Sequence, residues 1–328
     1  MVLRVKAFSI VPIVLCLICC VNCTGPKTPE LERSFHFCLL GDMPYYLPED
    51  YERFDNVIEA VNREKPAFTV HVGDTKSGGS PCSNATVQRT WDSFSKFDHP
   101  LIYTPGDNEW TDCHRKAAGS MDPLERLSVI RDRFFGSSSS LGGGAPIEMS
   151  IQSADTKWRD YPENRMWIRE GVVFATLHIV GSHNNNQPDV PRAVEEFVAR
   201  DKANEAWLEN VFAKARSLDA PGLAIFIHAN PFGELGRDWD PGFARFLGQL
   251  RELTIAFNKP VLVSHGDSHY FRVDKPLMHE GTARDSIENL TRLEVFGARN
   301  MHGVRVEVDP KSEQVFRISQ LIVKANRR

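Results

Sequence analysis

The stretch Phe35-His36-Phe37-Cys38-Leu39-Leu40-Gly41-Asp42 decides how the chain is read. A mostly apolar run of strand length goes straight into Gly-Asp. The pattern then recurs. Phe68–Val72 runs into Gly73-Asp74, and Leu101–Thr104 into Pro105-Gly106-Asp107-Asn108-Glu109. Leu223–Ile227 runs into His228-Ala229-Asn230-Pro231, and Pro260–Ser264 into His265-Gly266-Asp267-Ser268-His269. A lone Gly-Asp after a strand is an ordinary turn. Five strand ends in one chain that carry acid or imidazole are a pattern. In an open α/β sheet, ligands bind beyond the carboxyl ends of strands. Asp42, Asp74, Asp107, His228, Asp267 and His269 are therefore expected on one rim. Carboxylates with imidazoles suit a hard or borderline divalent cation. The glycine before each acid is expected to let the backbone turn tightly.

Helical spacing fills the intervals. Phe54, Val57, Ile58 and Val61 recur at three and four residues, and Pro66 ends that segment. Leu208, Val211, Phe212 and Ala215 do the same, as do Phe243, Phe246, Leu247, Leu250 and Phe257. A further apolar run covers Val172–Val180. Strand–helix alternation predicts an α/β fold with a partly parallel sheet. The last part reads differently. Arg292–Phe296, Gly303–Val308 and Val315–Leu321 alternate and are joined by short polar turns, so an antiparallel meander is expected. The Ser- and Gly-rich stretch Gly136–Gly144 reads as a flexible surface loop. No linker-like break follows it, and one domain over 34–328 is expected.

The composition, 41% hydrophobic and 25% charged over 328 residues, is that of a globular chain and excludes disordered or fibrous classes. A formal charge of -4 carries no basic excess toward nucleic acid. No P-loop or GxGxxG motif suggests a nucleotide cofactor. Arg4 and Lys6 precede the apolar stretch Ala7–Val21, which leads into Val21-Asn22-Cys23-Thr24. This predicts a signal peptide over 1–23 and a polar linker over 24–33. The apolar stretch is shorter than the roughly 20 residues a span needs. Cleaved, the protein is exported without a membrane span; uncleaved, the leader is a short anchor. Of seven cysteines only Cys38, Cys82 and Cys113 lie beyond the leader, enough for one bridge and one buried thiol. Cys38 is expected in the core. Sequons begin at Asn84 and Asn289.

The ordered blocks resemble the calcineurin-like metallophosphoesterase superfamily, whose members carry DxH, GDxxD, GNH(D/E), a lone His and GHxH. Here stand Gly41-Asp42-Met43-Pro44, Gly73-Asp74-Thr75-Lys76, Gly106-Asp107-Asn108-Glu109, His228 and Gly266-Asp267-Ser268-His269. The resemblance implies a four-layer α/β/β/α sandwich with mixed sheets. It implies one or two divalent metal ions (Mn, Fe, Zn or Mg). It also implies hydrolysis of a small-molecule or macromolecular phosphate ester through a metal-bound hydroxide. Asp42 and His269 would hold the first ion, Asp74 would bridge, and His228 would hold the second. Asp107 and Asp267 stand where the family has Asn and His.

Two departures matter. Pro44 replaces a ligand histidine and cannot ligate. Asn108 replaces the histidine that helps the leaving group, and an amide is no general acid near neutral pH. His183, in the loop 181–186, and His114, seven residues past Asp107, are the candidates for the missing acid. Four carboxylates would cancel two divalent cations, so Lys76, Arg115 and Lys116 are candidates to restore positive charge for a phosphate. Pro44 and Asn108 also keep open a non-catalytic metal- or ligand-binding protein on the same fold. A metal-dependent hydrolase of another ester is a third reading. Cys82 lies eight residues past Asp74 and Cys113 six past Asp107. If both aspartates hold one ion, the two loops leave the same rim, and a Cys82–Cys113 disulfide is expected in an oxidising compartment.

Overall fold

A computed structural model of the chain describes residues 33–233, 240–282 and 284–327, together with Val2. The fold below belongs to the unit Leu31–Arg328. The unit Met1–Glu30, with the expected leader, lies outside the described residues apart from Val2, and so does most of the expected linker.

The first sheet has the order β13-β12-β1-β2-β3-β4. Its strands are β1 (Phe35–Leu40), β2 (Thr69–His71), β3 (Pro100–Tyr103), β4 (Leu141–Gly142), β12 (Gly303–Val308) and β13 (Phe316–Leu321). The second has the order β10-β11-β9-β8-β7-β6-β5. Its strands are β5 (Ser150–Ile151), β6 (Arg165–Arg169), β7 (Val172–Thr176), β8 (Leu223–Phe226), β9 (Val261–His265), β10 (Arg272–Asp274) and β11 (Leu290–Glu294). β1, β2 and β3 are parallel, as are β7, β8, β9 and β11; the remaining pairings are antiparallel.

Alternation along β1 builds the layers. Phe37 and Leu39 point into the core between the sheets, whereas Cys38 and Leu40 point to the helices outside. Both faces are buried, so the strand reads as one continuous apolar run. Between the sheets Phe37 stacks on Phe68 at 5.0 Å and meets Phe174 and Phe226 edge-on, each at 5.8 Å. These are favoured aromatic geometries. The helices Asp50–Glu64, Asn84–Phe94 and Pro123–Phe134 cover the outer face of the first sheet. Ala193–Ser217 and Ala244–Phe257 cover that of the second. The result is the four-layer α/β/β/α arrangement with mixed sheets.

Two expectations change. The C-terminal strands are not one meander. β11 lies in the second sheet, parallel to β9, while β12 and β13 form a hairpin on the edge of the first. Alternation marks a strand but does not select its partner. The connection 295–302 carries the chain between sheets along the site, with Ala298 N donating to Asp42 O at 2.8 Å. The stretch Gly136–Gly144 is no loose loop either. Leu141–Gly142 is β4, Ser139 bridges Glu148, and Ser140 N donates to Ile147 O at 3.0 Å. Gly142 has φ +75° and packs against the His99 carbonyl, where a side chain would collide.

Cys82 and Cys113 form a disulfide with Cα atoms 5.8 Å apart, and Cys38 is a buried free thiol. Among the described residues no helix is long and apolar enough to cross a membrane.

Candidate metal centre

The parallel strands of both sheets end at one rim. β1, β2 and β3 lead to Asp42, Asp74 and Asp107, and β8 and β9 lead to His228, Asp267 and His269. Three hydrogen bonds stitch the strand ends. His228 Nδ1 donates to Val72 O at 2.8 Å, Gly266 N to His228 O at 3.0 Å, and Asp267 N to Asp42 Oδ1 at 3.0 Å. Two groups of side chains result, Asp42–Asp74–His269 and Asp74–Asp107–His228. Within each group the potential ligand atoms lie within 4.8 Å of one another, and Asp74 belongs to both. Asp267 flanks them. Its Oδ2 accepts Asn230 N at 3.1 Å.

The backbone here is unusual. Asp42, Asp74, Asp267 and His269 have φ of +52, +57, +75 and +62°, a region where non-glycine residues are strained and which clusters at functional sites. Three of the preceding glycines serve a different end from the expected one. Gly41, Gly106 and Gly266 have no positive φ, unlike Gly73. They provide clearance: a Cβ on Gly106 would collide with Asp74 Oδ1, and one on Gly266 with Asp42 Oδ2. Bare backbone lets one loop close over the next loop's carboxylate.

The electrostatics ask for a cation. Burial and the neighbouring acids push the Asp74 carboxyl well above its ordinary range, and burial does the same to Asp42. Burial disfavours a charged His228, yet Asp74 and Asp107 outweigh it and raise its pKa. Burial would lift Asp107 too, but hydrogen bonds from His228 and Ser182 hold it low. His228 gives its Nδ1 hydrogen to a carbonyl, so Nε2 faces Asp107 Oδ1 at 2.9 Å and Asp74 Oδ1 at 3.4 Å. A lone pair so placed needs a proton or a cation between. His269 Nε2 is buried with no hydrogen-bond partner, 3.6 Å from Asp42 Oδ1. The donor set and this orphaned nitrogen fit a divalent cation.

The other candidates are dispersed. Asn108 is buried and its Nδ2 donates to Asp74 Oδ2 at 2.5 Å and to Tyr45 Oη at 3.3 Å. Lys76 is buried, with Nζ donating to Ser77 O at 3.1 Å. It lies near Glu109, Asp74 and Asp112 and influences the site through space, but it is closed to a ligand in solvent. Arg115 pairs with the buried Asp112 at 2.5 Å and donates from Nη2 to Ser182 Oγ at 3.3 Å. Lys116 is exposed. His114 Nδ1 turns back onto Thr111 O at 2.7 Å. His183 is exposed and pairs through Nδ1 with Asp240 at 2.6 Å.

Sequence reasoning passed over several neighbours. Glu109 accepts Asp74 N at 3.2 Å, Gly106 N at 2.9 Å and Thr75 N, tying two ligand loops together. Tyr45 packs edge-on against His269 with centroids 4.6 Å apart. Ser182 Oγ lies 2.8 Å from Asp107 Oδ2. Glu109 completes its block and was legible; Tyr45 and Ser182 arrive through tertiary folding.

Known structures share this architecture. A dimetal phosphatase from Danio rerio aligns with a TM-score of 0.53 at 11% identity, covering 88% of this chain and 99% of that one. A protein from Staphylococcus aureus described as a 5′-nucleotidase aligns with a TM-score of 0.50 at 12% identity. That alignment covers 88% of this chain and 54% of the other. At such identities the likeness concerns the fold. No curated protein matches the chain significantly. The model of the calcineurin-like phosphoesterase family matches residues 35–271, all six rim residues included, and the chain belongs to that family.

Proposed function

We propose that the protein is an exported, metal-dependent phosphoesterase. The observation that carries this reading is the pair of ligand groups sharing Asp74. Asp42 and His269 would hold one ion, Asp107 and His228 the other, with Asp74 between. A divalent cation held there supplies Lewis acidity toward phosphoryl oxygens and a nucleophile near neutral pH.

The chain's own residues do the rest. Glu109 fixes the Asp74 and Gly106 loops, and Asn108 orients Asp74. No histidine takes the place of Asn108. His114 is bonded to its own turn, and His183 is exposed and held through Nδ1 by Asp240. Esters with good leaving groups should therefore turn over fastest. The test is to purify the chain, load it with Mn, quantify bound metal, and assay phosphomono- and phosphodiesters. Turnover that disappears with chelator supports the reading. Two bound ions without turnover would favour the metal-binding protein, a reading to which the Asn108 amide on Asp74 lends support.

Export rests on the leader pattern in residues 1–23. Amino-terminal sequencing of protein recovered outside the cell should begin near Thr24. A cytosolic protein beginning at Met1 would overturn it.

A further inference from the structure

Between β7 and the helix Ala193–Ser217 the backbone does something no sequence pattern announces. Ser182, His183, Asn184 and Asn185 have φ of +50, +59, +54 and +61°. Four consecutive non-glycine residues in the left-handed region are rare, since L-residues enter it singly and at a cost. Such a segment persists only when its surroundings over-determine it.

Here they do. Arg200 is fully buried. Its Nη1 donates to Asn184 Oδ1 at 2.7 Å and its Nη2 to Asn184 O at 2.9 Å. Glu196 grips the same guanidinium at 2.7 Å. Asn184 Nδ2 donates to Gly242 O at 3.0 Å, and Asn185 Nδ2 to Glu196 at 2.8 Å. The turn is thus braced by the helix Ala193–Ser217 and by the segment before Ala244–Phe257.

The braced turn presents two groups to the rim. Gly181 turns its bare Cα to the carboxylates. A Cβ there would lie 2.6 Å from Asp107 Oδ1 and 2.8 Å from Asp267 Oδ1. Ser182 Oγ sits 2.8 Å from Asp107 Oδ2 and 2.8 Å from Asp112 Oδ1, placed to donate its one hydrogen to either. Arg115 Nη2 donates to the same oxygen. Ser182 therefore holds the Asp107 carboxylate by Oδ2, while Oδ1 lies 2.9 Å from His228 Nε2, in the ligand group that includes Asp74.

We propose that the left-handed turn is a positioning device for the second cation site, in which Ser182 orients Asp107 and Gly181 keeps the space between Asp107 and Asp267 open. This rests on the metal-dependent reading above. Strain at 182–185 is then maintained because a relaxed turn would withdraw the hydroxyl.

Ser182→Gly separates the two roles of this residue, because glycine accepts the φ at no cost but lacks the hydroxyl. Mn binding to wild type, Ser182→Gly, Ser182→Ala and Gly181→Ala is measured by calorimetry, with thermal melts of each. Partners that orient a metal ligand are worth roughly 10–100-fold in affinity. Ser182→Gly is expected to melt at or above the wild-type temperature and yet bind one of two ions roughly 10–100-fold more weakly. Gly181→Ala should also weaken one ion. Ser182→Gly with wild-type affinity for both ions overturns the proposal, whatever Ser182→Ala does. Wild type that binds no Mn overturns the metal-dependent reading itself, a distinct outcome.

Discussion

His228 Nδ1 and the Val72 carbonyl oxygen are 2.8 Å apart, and this hydrogen bond joins the two sheets directly under the acids. Val72 follows β2 and His228 follows β8, so a backbone carbonyl of one sheet sets the tautomer of an imidazole from the other. The proton on Nδ1 leaves Nε2 as the atom offered to Asp74 and Asp107. Sheet packing and ligand chemistry are therefore one structure here.

The shared carboxylate makes the ligands unequal. Asp74 belongs to both groups and Asp42 to one. Asp74→Asn should lose both ions, each by more than about 100-fold, since even the outer partners of ligands are worth 10–100-fold. Asp42→Asn should lose one. Equilibrium dialysis with metal analysis reads this directly, and Asp74→Asn retaining two ions would exclude a shared ligand.

Acid should attack the fold through His71. It is buried, its Nε2 donates to Met43 O at 2.9 Å, and its Nδ1 accepts Gly73 N at 3.3 Å. Burial holds its pKa down at about 4 from the ordinary 6.5. Because the folded-state value is depressed, the unfolded chain takes up a proton that the folded chain refuses. The stability is complete above the ordinary pKa, is lost as pH falls through that window, and levels off below the folded value, a total of about 3 kcal/mol. Urea titrations in chelator from pH 7 to 3.5 should show wild type losing about that much more than His71→Gln. Parallel curves for the two proteins would refute the assignment.

How much of this was legible depended on range. β1 and β12 have the bounds the sequence suggests, because strands buried on both faces, or alternating along one, announce themselves locally. The destination of Leu290–Glu294 was not legible, since its side chains suit either sheet and only the crossing at 295–302 decides. At the rim, an acid after a strand is a local signal, which is why Asp42 and Asp74 could be read. Ser182 reaches Asp107 across 75 residues, by a turn of four consecutive left-handed residues; Asn and His tolerate that region singly, but nothing local dictates such a run. Tyr45 meets His269 in the same non-local way.

The two sequons differ in availability. Asn84 is exposed at the start of the helix Asn84–Phe94, and only its Oδ1 is engaged among the described residues, by Arg126 at 2.7 Å. Asn289 Nδ2 donates to Thr254 O at 2.9 Å and to Lys259 O at 3.0 Å, capping the end of Ala244–Phe257. A glycan on that nitrogen would remove one of these bonds. In a eukaryotic secretion host, glycopeptide mapping should find Asn84 occupied and Asn289 largely bare. Full occupancy of Asn289 would contradict the argument.

The Cys82–Cys113 bridge closes a loop over a sequence separation of 31 residues. That loop contains β3 and the Asp107 turn, and it starts eight residues after Asp74, so the bridge fastens one ligand loop to the other. Glu109, four residues before Cys113, performs the same task with hydrogen bonds. In the chain-entropy model, opening a loop of this size releases the unfolded chain by about 3–4 kcal/mol. The double variant Cys82→Ala/Cys113→Ala should lose about that much in urea unfolding, measured without metal so that ligand binding does not add to stability. With Mn present the loss should stay the same or grow, because the ion binds only the folded chain and an open bridge can only loosen the two loops that bear Asp74 and Asp107. A loss that shrinks with Mn would mean that the variant binds the cation more tightly than wild type, so that the bridge strains the two ligand loops instead of supporting them.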